Sequence, residues 1–334
     1  MSSLYVLGGR QRKSVLKHER EWNLYEAALI LEIDMESGAV RTCVEYKSPP
    51  EVLAGENSSV VFKAGTVVGN TLYACTSTEV LIFKVPEFQI IKYVSLPCFN
   101  DLHHVTPTSE GDLLVANTGL DMVVKVSSGG ERVGEWSVLA EHPWSRFSLT
   151  TDYRKVASTK PHKSHPNFIF ELNDEIWVTR ARQRDAVCLH DSGKRIDIAL
   201  QFPHDGLVHG ERIYFTLVDG RVVIVNSRSL QVEEVIDLKK IDGQGALLGW
   251  CRGLLPLDDR NLWVGFSHIR KTWFEENILW VKNVLQEGMR EKPTHVALYD
   301  LVKKRCIQEI DVEAHGMKVI FSILSADRQA APFL

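Results

Sequence analysis

The chain contains no Cys-x-x-Cys pair. Its six cysteines stand singly, at Cys43, Cys75, Cys98, Cys188, Cys251 and Cys306, which excludes a zinc knuckle and offers no disulfide framework. No apolar run is long enough to cross a bilayer. Residues 1–9 lack the charged-then-apolar order of a secretory signal. An excess of basic charge is missing too: 39 lysines and arginines face 43 aspartates and glutamates, a net charge of −4. No basic field is therefore offered to a nucleic acid, and the short basic runs at 10–13 and 303–305 read as solvated loops. A Ser/His/Asp nucleophile elbow, a phosphate-binding glycine loop and a dinucleotide fingerprint are all absent. The expectation is a reduced, cytoplasmic protein whose partners include neither nucleic acid nor membrane.

What is present is repetition. The 334 residues are 44% apolar, enough to bury a large core, and short β-rich runs recur in fours. The first set is 59–68, 72–75, 80–85 and 89–96, and the second 103–108, 112–116, 122–126 and 133–138. A third follows at 165–172, 175–179, 186–189 and 195–200, and a fourth at 205–208, 212–217, 222–226 and 232–238. The fifth is longer, at 253–256, 261–266, 295–300 and 306–312. Runs of Val, Ile, Leu and aromatics between turn residues read as strands, and four per forty or so residues is the spacing of a propeller blade.

The two ends supply a sixth blade. Runs 4–7, 28–34 and 40–46 lack an inner partner, and 317–323 lacks a blade; pairing them closes the ring and leaves no open edge. The predicted fold is one all-β domain, a six-bladed β-propeller with four antiparallel strands per blade, closed by the C-terminal strand joining the N-terminal blade. Small helical insertions are expected at about 10–26, 140–164 and 267–294. All three fall in connections that leave the same face of a propeller, so they should raise a wall or lid there, or serve as an oligomer contact.

Certain residues carry a family likeness. His204-Asp205-Gly206-Leu207-Val208, then Ile213-Tyr214-Phe215 and Gly220-Arg221-Val222, resembles a blade of the six-bladed gluconolactonases and their NHL-repeat and strictosidine-synthase-like relatives. Asn100-Asp101-Leu102 and Glu110 through Val115 are similar to other blades of that group. The likeness is spread over the whole chain and implies the fold. In gluconolactonases a divalent metal sits on the channel axis, held by Glu, Asn and Asp at the starts of inner strands. The resemblance implies Asp205 for such a place and Asn100 more loosely; the glutamate has no match.

Histidine stands where those oxygens would be. His103 or His104 opens one inner strand, His165 another and His204 a third, while His315 precedes the closing strand. Inner strands converge on the axis, so side chains from separate blades can meet one ion. Strand alternation lets only one of His103 and His104 face the channel, and His104 is preferred because its spacing to the next strand matches that of His204. The expected ligand set is His104, His165, His204 and His315, holding a divalent transition metal (Fe, Zn, Cu or Mn), since imidazole suits these ions. Asp205, Arg252 and His268 are the candidate catalytic residues, and Lys63, Asn117, Arg180 and Trp273 the candidate substrate-binding ones. Cations among them could hold a carboxylate or phosphate.

The expected function is a metal-dependent enzyme acting on a small organic substrate at the channel mouth, as a hydrolase, lyase, isomerase or oxygenase. The alternative is a non-catalytic propeller that binds a peptide or protein on its decorated face through Trp144, Trp273 and Trp280. A third reading is a metal-free enzyme using an acidic channel residue.

Overall fold

The computed structural model describes residues 3–13, 23–242, 246–269 and 290–327. They form six four-stranded antiparallel sheets arranged as the blades of a propeller. Each blade is a meander of antiparallel neighbours, most joined by tight turns and two pairs, Ser3–Gln11 with Tyr25–Asp34 and Asn261–Ser267 with His295–Asp300, by longer connections. From the axis outward the blades begin at Thr66–Val68, Leu102–Pro107, Pro166–Leu172, Pro203–His209 and Trp250–Pro256. The sixth inner strand is the C-terminal Val319–Ser325, which pairs with Ser3–Gln11 of the N-terminal blade. The ring is closed by hydrogen bonds between the two ends of the chain, as expected.

The outer strand Arg305–Asp311 is largely exposed, whereas the inner strand Leu102–Pro107 is buried throughout. Apolar side chains from facing blades interdigitate, so each cluster is shared. Val105 and Val115 of one blade pack with Val80 and Ile82 of the preceding blade, for example. One polar strut joins blades as well. The buried Glu79 carboxylate accepts hydrogen bonds from Tyr46 Oη at 2.6 Å, Thr76 Oγ1 at 2.7 Å, Tyr93 Oη at 3.1 Å and the Ser48 hydroxyl.

Four inner strands share an irregularity at their first residues. Register slips between Leu102 and His104, Pro166 and Phe168, Asp205 and Leu207, and Cys251 and Leu254. Beside each slip stands a residue with positive φ: Asp101 at 48°, His165 at 63°, Asp205 at 61° and Gly253 at 78°. A bulge with a left-handed residue bends the strand and redirects the side chains next to it. Three of the four are not glycine, and each such residue costs on the order of 1–3 kcal/mol. The bulges stand at one end of the channel.

Inner strand 59–68 of the expected first set is shorter than anticipated. The ladder within its own blade is Thr66–Val68, with Lys63 N also donating to Cys75 O, while Phe62 N donates to Gly8 O and Ala64 N to His103 O, stitching neighbouring blades together. The insertion at 140–164 carries a short 3-10 turn, Tyr153–Lys155, and lies across the ring. Lys155 Nζ reaches Pro50 O and Leu53 O, and Arg154 reaches Ser95 O. Most of the insertions expected at 10–26 and 267–294 lies outside the described residues. Among the described residues no helix is long and apolar enough to cross a membrane, and all six cysteines are free.

Closure depends on one glycine. A Cβ on Gly8 would lie 1.8 Å from Val319 O of the closing strand, a contact that no rotamer can relieve. Gly8→Ala is expected to destabilise the protein by more than about 3 kcal/mol in denaturant titration, as for severe overpacking. Gly55→Ala, where a Cβ meets nothing within 4 Å, should change stability by less than about 0.5 kcal/mol. Equal effects would contradict the closing register.

Candidate functional site

The bulges set which histidines meet. Leu102 pairs with Asn117 and His104 with Ala116, so His103 is the extra residue with no opposite partner, and its side chain turns to the channel mouth. Its ring centroid lies 4.7 Å from that of His165. The His165 ring lies 6.5 Å from that of His204. Three successive blades thus contribute one imidazole each. His103 Nδ1 lies 2.9 Å from Asp101 O and His204 Nδ1 3.3 Å from Phe202 O. A carbonyl only accepts, so each Nδ1 carries a proton, and in its neutral form each ring presents a lone pair at Nε2.

His165 is held in its left-handed conformation by a carboxylate. Asp121 Oδ1 accepts from Ser164 N at 2.9 Å and His165 N at 2.8 Å, and Oδ2 accepts from Lys163 N and Arg146 Nη2, both at 2.8 Å. Asp121 is itself left-handed, at φ 51°. Backbone strain at His165 is offset by a buried carboxylate that meets three consecutive N–H groups.

Cations and one carboxylate share the mouth. Lys63 Nζ lies 4.5 Å from the Phe321 ring centroid and the Arg252 guanidinium carbon 4.9 Å from it, both within cation–π range. Phe321 stands on the closing strand, 6.2 Å from the His103 ring. Lys63 Nζ is also 3.3 Å from Asp101 Oδ1. Burial, with Lys63 and Arg252 nearby, holds the His103 imidazole well below its usual pKa; burial, His103 and His162 do the same to His165. Burial opposes ionisation of Asp101, yet the cations beside it, Lys63 foremost and then Lys160, hold its carboxyl well below the usual range. At neutral pH His103 and His165 are therefore uncharged, beside the Asp101 carboxylate and the cations Lys63 and Arg252. A cavity of about 70 Å³ opens beside them, lined by Lys63, Asp101, Lys160, Phe321 and Tyr25 among others.

Several sequence candidates lie elsewhere. His104 is wedged between blades: its ring stacks on Phe168 at 3.9 Å and its Nδ1 accepts from Ile169 N at 3.1 Å. It lines a different, roomier cavity of about 470 Å³ with Phe168, Leu207 and Leu255. His315 is exposed on the short turn Glu313–His315. The expected set His104, His165, His204 and His315 is therefore not brought together; His103 takes the place given to His104. Among the described residues no group of three or more His, Cys, Asp or Glu side chains is placed to hold a metal ion.

An oxygen cage of the gluconolactonase kind does not fit either. Asn100 donates to Tyr153 O and Val156 O at 2.8 and 2.7 Å. Asp205 Oδ2 accepts from the Thr216 hydroxyl and from Gly253 N at 3.1 Å, and Asp205 O accepts from Thr179 Oγ1 at 2.6 Å. Asp205 thus ties three blades together, and burial pushes its carboxyl up to about 6. Asn117 supports the loop before the inner strand, accepting from Asn100 N and donating to Cys98 O. Arg180 is bidentate on the buried Asp185 and donates to Val138 O. His268 has Glu291 and Glu313 as its acidic neighbours, at 3.5 and 3.7 Å. Trp144 packs against the core, under Arg132, with Nε1 donating to Glu135. Trp273 and Trp280 lie outside the described residues.

Sequence reasoning missed His162, Lys160 and Phe321. The first two arrive on the 140–164 insertion, which has no blade periodicity to align them. Phe321 looks like any apolar strand residue. A usable signal was His162-Lys163-Ser164-His165, two histidines three apart entering an inner strand.

No protein-family model matches the chain, and no curated protein matches it. Among solved structures it is similar to a Bacteroides caccae protein of unknown function, with TM-score 0.63 and 13% identity, covering 97% of this chain and 98% of that one. A chain from a nidogen–laminin complex gives TM-score 0.57 and 9% identity, covering 98% and 100%. A streptogramin B lyase structure gives 0.50 and 11%, covering 97% and 93%. These likenesses concern the fold alone, and at that level the chain fits a gluconolactonase or NHL-like propeller.

The buried histidines make stability depend on pH. His103 and His165 are held well below 6.5, and burial pushes His104 down to about 3. The unfolded chain then binds more protons than the folded one below pH 6.5, so stability falls as pH drops. Asp205, raised to about 6, opposes this with a single group. Urea unfolding at pH 5 should show stability lower than at pH 7 by on the order of 3 kcal/mol. A flat profile across that interval would contradict neutral buried imidazoles.

Proposed function

We propose that this chain is an enzyme that acts on a small, negatively charged organic molecule at the histidine-lined mouth of its channel. The observation that carries the reading is the meeting of His103, His165 and His204 from three blades beside Lys63 and Arg252, both set on the Phe321 ring. Lys63 and Arg252 hold a carboxylate or phosphate of the substrate by charge-assisted hydrogen bonds. In a site largely removed from water such contacts are stronger than at the surface.

The imidazoles supply the chemistry. A neutral ring with a lone pair at Nε2 is a base at pH 7, and the same ring, once protonated, is an acid. Nearby cations favour the anion left when a proton is removed next to a bound carboxylate. Elimination, isomerisation and ring opening share that first step, so the reaction class follows from the substrate. A propeller of this fold is found in a streptogramin B lyase structure, a likeness of fold that supports an enzymatic reading without naming its reaction. The role offered by Asp101 is to keep Lys63 and His103 in place, from 3.3 Å and 2.9 Å respectively.

Calorimetric titration with inorganic phosphate and with malonate tests the anion subsite without knowledge of the substrate. The wild-type protein should bind at least one of the two, and the double variant Lys63→Met/Arg252→Met should bind at least tenfold more weakly, about 1.4 kcal/mol. Absence of binding, or binding unchanged in the double variant, would overturn the reading.

A further inference from the structure

We propose that His162 is a positioning residue for His165, fixing its tautomer so that Nε2 presents a lone pair. His162 is buried, 4% exposed, and its Nδ1 lies 2.9 Å from His165 Nδ1, with the ring planes 26° apart. That is the distance and near-coplanarity of an N–H···N hydrogen bond, in which one ring donates and the other accepts.

The direction of the bond follows from the groups behind it. Thr159 Oγ1 lies 2.5 Å from Gly119 O, 3.3 Å from Asn100 Oδ1 and 3.3 Å from His162 Nε2. Gly119 O can only accept. So can Asn100 Oδ1, because the amide nitrogen of Asn100 is committed to two carbonyls. The single hydroxyl proton of Thr159 therefore goes to an oxygen, and its lone pair takes the N–H of His162 Nε2. Burial of His162 opposes a second ring proton, because an additional buried cation is costly. Its Nδ1 is then the acceptor, and His165 Nδ1–H the donor. The His165 proton is on Nδ1 and its Nε2 is bare.

This gives His165 the tautomer that backbone carbonyls give His103 and His204. His165 cannot use a carbonyl two residues earlier in the same way, because its own backbone is left-handed and clamped by Asp121. An imidazole on the insertion takes the place of that carbonyl. Three blades then offer three equivalent Nε2 lone pairs. Service of His165 as a base rests on the function proposed above; its tautomer does not.

Long-range 1H–15N correlation spectra of histidine-labelled protein read the tautomer directly, with His165→Gln and His162→Gln spectra for assignment. Wild-type protein at pH 7.5 should show His165 protonated at Nδ1 and His162 at Nε2. In His162→Phe, which offers no acceptor, His165 should shift to a mixed or Nε2-protonated form. His162→Asn, whose amide oxygen can accept, should retain the wild-type form. The His103 and His204 signals report whether the ring of blades is intact. A wild-type His165 protonated at Nε2 would overturn the proposal, and so would a His165 signal unmoved in His162→Phe with intact His103 and His204 signals. Neither result depends on whether phosphate or malonate binds, so failure here is distinct from failure of the anion subsite. Should His162→Phe fail to fold, the wild-type tautomers still decide.

Discussion

Everything in this molecule depends on the pairing of the last strand with the first. Leu4 opposite Ser325 through Gly9 opposite Val319 turns an array of sheets into a ring. Without that pairing the terminal blade would lack its inner strand and expose an edge. The pairing also reaches the site, because Phe321 belongs to the closing strand and carries Lys63 and Arg252 on its ring. Closure and cation placement are therefore one event. The space between the strands is so small that position 8 must be glycine.

The second constraint is the repeated bulge. Four inner strands have a positive-φ residue at or next to a register slip, which in Leu102–Pro107 turns His103 to the mouth instead of along the wall. Left-handed backbone at aspartate and histidine is unfavourable, and the structure compensates with built supports. Asp121 clamps His165, while Thr216 and Gly253 hold Asp205. The arrangement leaves neutral imidazoles beside cations, in a place partly shielded from water. Such a setting suits an anion and keeps His103 and His165 unprotonated at neutral pH.

The fold was legible because period-two hydrophobic runs between turn residues are local features, and their recurrence in fours gives the blade. Even the closing strand could be assigned, since three runs at the N-terminal end lack an inner partner and one run at the C-terminal end lacks a blade. The site was less legible. His165 and His204 were found by their place at strand starts, but alternation points to His104 where the bulge selects His103. A bulge shifts the count by one, and nothing in Asp101-Leu102-His103-His104 announces it beyond an aspartate able to adopt positive φ. His162 and Lys160 escaped because an insertion follows no repeat, and its destination is set by distant contacts such as Lys155 with Pro50. Arg180 and Asn117 looked functional by position, yet buried polar groups near blade ends first have to satisfy one another.

An anion drawn to the mouth should rest at a point beside Lys63, Arg252 and the three imidazoles. Crystals soaked in bromide and measured at its absorption edge would locate that point by anomalous scattering. The account predicts a bromide within contact of Lys63 Nζ or the Arg252 guanidinium, on the side facing His103. Bromide bound at other surface cations but absent from the mouth would contradict it.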